Sequence, residues 1–203
     1  MTRRTVYSVV DMPLHWFDDH TRAHMFHSEH LGLVDPFIDP AAVFKVTGPE
    51  MPLWEQDGVR VKVAAGRFRD LVSPINADPR WATPVDLLDV RISAGATFHW
   101  PVENAKNGFV LVLAGALTCA EHAASAPQAL VLSPAQRGDA GQGMVALEAG
   151  AQGAHAVCFS GLPLREPVVP YGLSIGNSRE DIATYAHAFQ SGAMGELKAF
   201  FIR

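Results

Sequence analysis

Asp57-Gly58-Val59-Arg60-Val61-Lys62-Val63-Ala64-Ala65-Gly66 is the stretch on which the fold turns. Valines at 59, 61 and 63 alternate with Arg60, Lys62 and Ala64, the two-residue period of a strand with one buried face. Leu88, Val90 and Ile92 repeat the pattern against Asp89 and Arg91. Residues 109–113 (Phe-Val-Leu-Val-Leu) form a continuous apolar run ended by Ala114-Gly115, which predicts a strand covered on both faces. Further strands are expected at 116–121, 128–132, 144–148 and 155–159, separated by Gly, Pro, Asn and Asp clusters. Short strands with a turn signal every eight to twelve residues or so argue for an all-β sandwich or barrel.

The flanks read differently. Upstream, residues 1–56 offer one short strand near 5–10 and then no sustained period, with prolines punctuating short apolar pieces. Downstream, Ser178 precedes Arg179-Glu180-Asp181, so its hydroxyl can cap a helix while Asp181 reaches back. Ile182, Tyr185, Ala186 and Phe189 then fall at helical spacing, and Gly192 stops the helix, placing it near 179–191. Met194 to Phe201 could add a further short turn or two.

Between the last strand and that helix lies Gly161-Leu-Pro-Leu-Arg-Glu-Pro-Val-Val-Pro-Tyr-Gly172, followed by Asn177. Pro163 and Pro167 hold the backbone extended, which suits a chain leaving a sandwich edge, and Glu166 between them can accept hydrogen bonds. With the opening at 57–66 and the tail Gln190-Ser-Gly-Ala-Met-Gly195, this order of elements resembles the C-terminal cupin of the pirin family over 57–203. The resemblance implies a single cupin-type, jelly-roll β-sandwich with a C-terminal helix, carried behind an extended, histidine-rich N-terminal arm at 1–56. Pirins are similar to bicupins whose iron site, three histidines and one glutamate, lies in the N-terminal sandwich. Some members resemble quercetin 2,3-dioxygenases, and the vertebrate member is similar to a nuclear transcription co-regulator. Residues 1–56 are too few for a second cupin, so the resemblance does not bring that chemistry with it.

A cupin metal site needs His-x-His, a nearby Glu and a distant His converging inside the barrel. The corresponding stretch here is Phe98-His99-Trp100-Pro101-Val102-Glu103, with proline where the second histidine would stand. His99, Glu103 and the distant His155, or else His122, are therefore weak metal candidates. They are better read, with Phe109, as ligand-pocket candidates, in a pocket expected to draw on Leu88, Val90, Phe98, Leu111 and Val131. A second weak cluster is His24, His27, Glu29 and His30, within a run that also holds His15 and His20. No cofactor is expected, with iron, nickel, manganese or zinc as the alternative. No catalytic residue is assigned.

Other chemistries lack their motifs. There is no Gly-x-Ser-x-Gly elbow, Walker loop or dinucleotide fingerprint. Asp18-Asp19 has no recognisable partner and reads as a solvated loop. A net charge of −5 without a Lys/Arg stripe makes nucleic acid and anionic membranes poor partners. No run approaches a membrane span and no secretory leader is visible, so the cytoplasm is the default compartment. Cys119 and Cys158 sit in apolar runs and read as small buried hydrophobes. Trp16, Phe17, Met25, Phe26, Phe37 and Trp54 give the N-terminal region apolar surface that wants covering, so a homodimer is expected. The function expected is a metal-free binding or protein-interaction module with a small-molecule ligand; the alternative is a metal-dependent dioxygenase or isomerase.

Overall fold

The structure, a computed structural model, describes residues 2–3, 6–11, 48–77, 84–132, 141–163, 165–171 and 174–193. Its strands are β1 (Thr2–Arg3), β2 (Val6–Asp11), β3 (Leu53–Gln56), β4 (Val59–Ala65), β5 (Arg67–Phe68), β6 (Leu71–Val72) and β7 (Val85–Ile92). They continue with β8 (Thr97–Glu103), β9 (Asn107–Cys119), β10 (His122–Ser125), β11 (Gln128–Leu132), β12 (Gln142–Gly161), β13 (Val169–Tyr171) and β14 (Ser174–Gly176). The helix α1 spans Arg179–Gln190. Among the described residues no helix is long and apolar enough to cross a membrane.

One layer runs β2-β11-β9-β12-β7-β4-β3. The first half of β12 leaves it to pair with β8, from Gln142 opposite Glu103 to Leu147 opposite Phe98. The second half pairs with β7, from Ala154 opposite Ile92 to Gly161 opposite Val85. This long strand thus serves both layers of a cupin sandwich, and β9 does the same beside it. The alternation read from sequence decides which side chains meet inside. Val59, Val61, Val63, Leu88, Val90 and Ile92 from one layer join Phe98, Trp100, Val102, Val145 and Leu147 from the other in one buried cluster. Val110, Leu111 and Val112 are all buried, so this run is covered on both faces, as its continuous apolar character predicts.

Two expected strand ends are not ends. Ala114-Gly115 does not terminate β9, and the separate strands expected at 144–148 and 155–159 are one. Gly115 and Gly153 both hold φ of 73°, and the β9–β12 register shifts between Ala149 and Ala154. A Cβ at Gly115 would overlap the carbonyl oxygen of Gly153. Glycine at both positions therefore bends the paired strands from one layer to the other without breaking the ladder. The sheet also takes in residues ahead of position 57. β2 pairs antiparallel with β11, β3 with β4, and β1 parallel with β12.

The described C-terminal residues, 165–171 and 174–193, form a unit of their own. Glu166 of the Pro-rich motif accepts a 2.7 Å hydrogen bond from the Asn177 amide, joining two residues that the sequence singles out separately. Ser178 caps α1, its hydroxyl accepting from the Asp181 N–H at 3.0 Å. The Asp181 carboxylate accepts from the Asn177 N–H, one position earlier than in a standard capping box. Helical spacing is realised as a narrower stripe than expected: Ile182 and Ala188 are buried, Tyr185 is half-buried, and Phe189 is 76% exposed. Beyond Gly192, which closes the helix end at φ 73°, the turns expected at 194–201 lie outside the described residues.

Candidate functional site

The sandwich interior is apolar and filled. On β8, Phe98, Trp100 and Val102 point into the buried cluster, so His99 and Glu103 fall on the opposite side and are exposed. Four positions along the strand separate the Cα atoms of His99 and Glu103 by roughly 13 Å. Glu103 is engaged by Lys106 at 3.0 Å. His155 lies on the outer face of β12, half-buried, with Nε2 3.1 Å from the Asp89 carboxylate. His122 opens β10, half-buried, and its Nδ1 has no hydrogen-bond partner among the described residues. Among the described residues no three histidine, cysteine or carboxylate side chains gather in a way that suits a metal. The cluster His24, His27, Glu29 and His30, with His15 and His20, lies outside the described residues.

The ligand-pocket candidates do not share a pocket either. Leu88, Val90 and Phe98 are plain core. Phe109 stacks on Phe159, ring centroids 5.3 Å apart, on the far side of β9 and β12 from the buried cluster. Of these candidates, His99 borders a recess. This is a small cleft of about 80 Å³ lined by Trp54, Gln56, Asp57, Arg69, Thr97 and His99, with Val59 and Phe98 at its floor. It lies between β3, which pairs with β4, and β8, which pairs with β12; neither strand is paired on its other side among the described residues. The cleft is thus the seam where the sandwich fails to close.

An aromatic chain leads from this seam into the core. Trp54 meets Phe68 edge to face at 5.5 Å, and Phe68 meets Phe98 at 5.5 Å. Arg69 covers the outer end, its guanidinium carbon 4.5 Å from the Trp54 ring centre and 5.6 Å from that of Phe68. Cation–π attraction at an exposed site contributes about 0.5–1 kcal/mol. Arg69 also begins the two-residue turn joining β5 to β6 with φ of 55°, a region that suits glycine. That conformation costs on the order of 1–2 kcal/mol. A separate open groove of about 550 Å³, bordered by Glu55, Arg60, Arg91 and Ser93, lies on the other face of the β3–β4 hairpin. Sequence reasoning missed Arg69, Gln56 and Thr97 and counted Trp54 only as apolar surface. The available signal was an Arg-Asp turn where a hairpin normally carries glycine.

Two polar clusters lie outside the cleft. At one end of β7, β9 and β12, the Lys106 ammonium sits 2.7 Å from Asp86, which also accepts from the Ser160 hydroxyl and the Arg67 N–H, both at 3.0 Å. Burial works to lower the Lys106 pKa, but the hydrogen bonds and charges of Asp86 and Glu103 outweigh it and hold the ammonium above its usual range. At Asp89, burial likewise works to raise the pKa. The hydrogen bond and charge from His155, with Arg91 and Lys62, prevail and hold the carboxyl below its usual range. Cys158 is fully buried, and burial followed by the Asp89 charge pushes its thiol far up, so it packs as an apolar group.

The profile of the pirin C-terminal cupin domain matches residues 87–195, more than half of the chain. The chain belongs to the pirin family. Curated relatives agree: it is 28% identical over 169 residues to a tomato (Solanum lycopersicum) pirin-like protein, covering 82% of this chain and 54% of that one. It is 28% identical over 148 residues to pirin of Rattus norvegicus, covering 72% of this chain and 48% of that protein. Among solved structures, quercetin 2,3-dioxygenase of Acinetobacter baumannii superposes with a TM-score of 0.60 at 21% identity, over 75% of this chain and 50% of that one. At that identity the likeness shows the shared cupin fold. The chain spans about half the length of the curated relatives it matches.

Proposed function

We propose that this pirin-family cupin is a binding module without a resident metal, whose ligand engages the seam cleft between β3 and β8. The observation that carries the reading is the contrast between a filled interior and an open seam. Phe98, Trp100, Val102, Leu88 and Val90 occupy the space where a cupin active site would stand. Trp54, Arg69 and His99 instead line a recess with aromatic, cationic and hydrogen-bonding character. Pockets that take a whole small molecule measure about 300–1,000 Å³. The cleft, at about 80 Å³, holds one functional group of a ligand. The apolar N-terminal residues make a homodimer part of the proposal, which gel filtration checks.

Two measurements test it. Elemental analysis of full-length protein purified without a histidine tag should find no stoichiometric first-row metal; one metal per chain would refute the metal-free reading. A fragment screen by NMR should perturb the Trp54 indole and His99 ring signals before those of Phe109 or His155. A screen that leaves the cleft silent would refute the site.

A further inference from the structure

We propose that the seam cleft is a carboxylate-binding site anchored by Arg69. The inference rests on the binding-module reading above and names the ligand's chemistry. A guanidinium stacked on an indole uses its face for the ring and keeps its planar fork of N–H donors for an in-plane acceptor. The Arg69 guanidinium carbon lies 4.5 Å over the Trp54 ring centre. Two other cations of the sandwich hold carboxylates: Arg60 meets Glu55 at 3.0 Å and Lys106 meets Asp86 at 2.7 Å. Among the described residues no carboxylate lies within ion-pair distance of Arg69. Its fork is the natural bidentate partner of a carboxylate that the chain itself does not supply.

Three further features narrow the ligand. Thr97 and His99 border the same cleft, and their side chains carry groups able to hydrogen-bond an acid's oxygens or a neighbouring hydroxyl. Asp57 lines it too, which tolerates a singly charged group beside Arg69 but repels a phosphate dianion. The volume of about 80 Å³ admits the acid head and excludes a flavonol-sized ring system. Arg69 sits at φ 55° in a turn that glycine would make without strain, so the side chain itself is what the position supplies. The carboxylate can come from a free small acid or from the terminus of a peptide.

Titration of the full ¹⁵N-labelled chain tests this, following the Arg69 side-chain Nε–H and the Trp54 indole N–H. Probes are glycolate, acetyl-Gly-Gly with a free carboxylate, its amide, acetamide and inorganic phosphate. At least one of the two acids should shift both signals saturably and bind roughly tenfold or more tightly than its neutral amide, as a charged hydrogen-bonded pair requires. Phosphate should bind more weakly than the better acid. Whichever acid binds tighter identifies the source. Arg69→Gln should abolish the saturable shift, and Arg69→Lys should weaken it because the fork is lost. Amides binding as well as acids, phosphate binding tighter, or Arg69→Gln binding like the parent chain would each overturn the proposal. In the first and last of these the cleft still binds, so the module reading survives. A cleft silent to these probes and to the fragment screen defeats both.

Discussion

Replacing Lys106 with methionine removes the ammonium while keeping most of the volume of an almost fully buried side chain. Its two carboxylate partners respond differently. Glu103, 48% exposed, turns to water at little cost. Asp86 is only 13% exposed and keeps two hydrogen bonds, from the Ser160 hydroxyl and the Arg67 N–H, but loses the charge that lies 2.7 Å away. Stranding one partner of a buried pair costs about 3–5 kcal/mol, and the two surviving hydrogen bonds favour the lower end. For a chain of this size that lowers the melting temperature by roughly 6–20 °C. Urea unfolding followed by tryptophan fluorescence measures the loss as a lower midpoint with an unchanged slope. Adding Asp86→Asn to Lys106→Met should restore part of the stability, because it neutralises the stranded charge. A loss below about 1 kcal/mol for Lys106→Met, or a double variant weakened by the full sum of the single costs, would refute the account.

The remaining expectations concern pH and the strand bend. Because the folded Lys106 pKa is raised, its contribution is complete below the unfolded value of 10.5 and disappears as pH climbs through the folded one. Alkaline melts should therefore fall more steeply in the parent chain than in Lys106→Met; parallel curves would show that the pair is not titrating. Asp89 has a depressed pKa, so its contribution is present above 3.8 and lost as pH falls through the folded value. His155→Phe should raise the Asp89 pKa seen by carboxyl NMR, yet change stability at neutral pH by no more than about 1 kcal/mol, given a pair 20% and 39% exposed. Gly115→Ala should cost more than about 2 kcal/mol, since the left-handed conformation adds to the overlap with the Gly153 carbonyl. A near-neutral melt for that variant would mean that the bend relaxes freely.

Much of the fold is local and so is legible along the chain. The valines of 59–63 and the apolar positions of 88–92 alternate because a strand presents every second side chain to one face, and those residues are the core. Ser178 caps its helix through contacts three residues away. The same alternation that buries Phe98 and Trp100 turns His99 and Glu103 outward.

Tertiary structure decided the rest. That β9 and β12 run through their glycines depends on Gly115 meeting Gly153 across the ladder, a contact 38 positions apart that neither glycine announces. Lys106 and Asp86, 20 positions apart, are brought together where β7, β9 and β12 converge at one end of the sandwich. The cleft has the same origin: Trp54 and His99 become neighbours across a recess only because β3 and β8 close the sheet incompletely. Periodicity carries the face on which a residue lies, a property of each strand alone. Which strands meet, and where they fail to, follows from long-range pairing, and in this protein the candidate site is built at that gap.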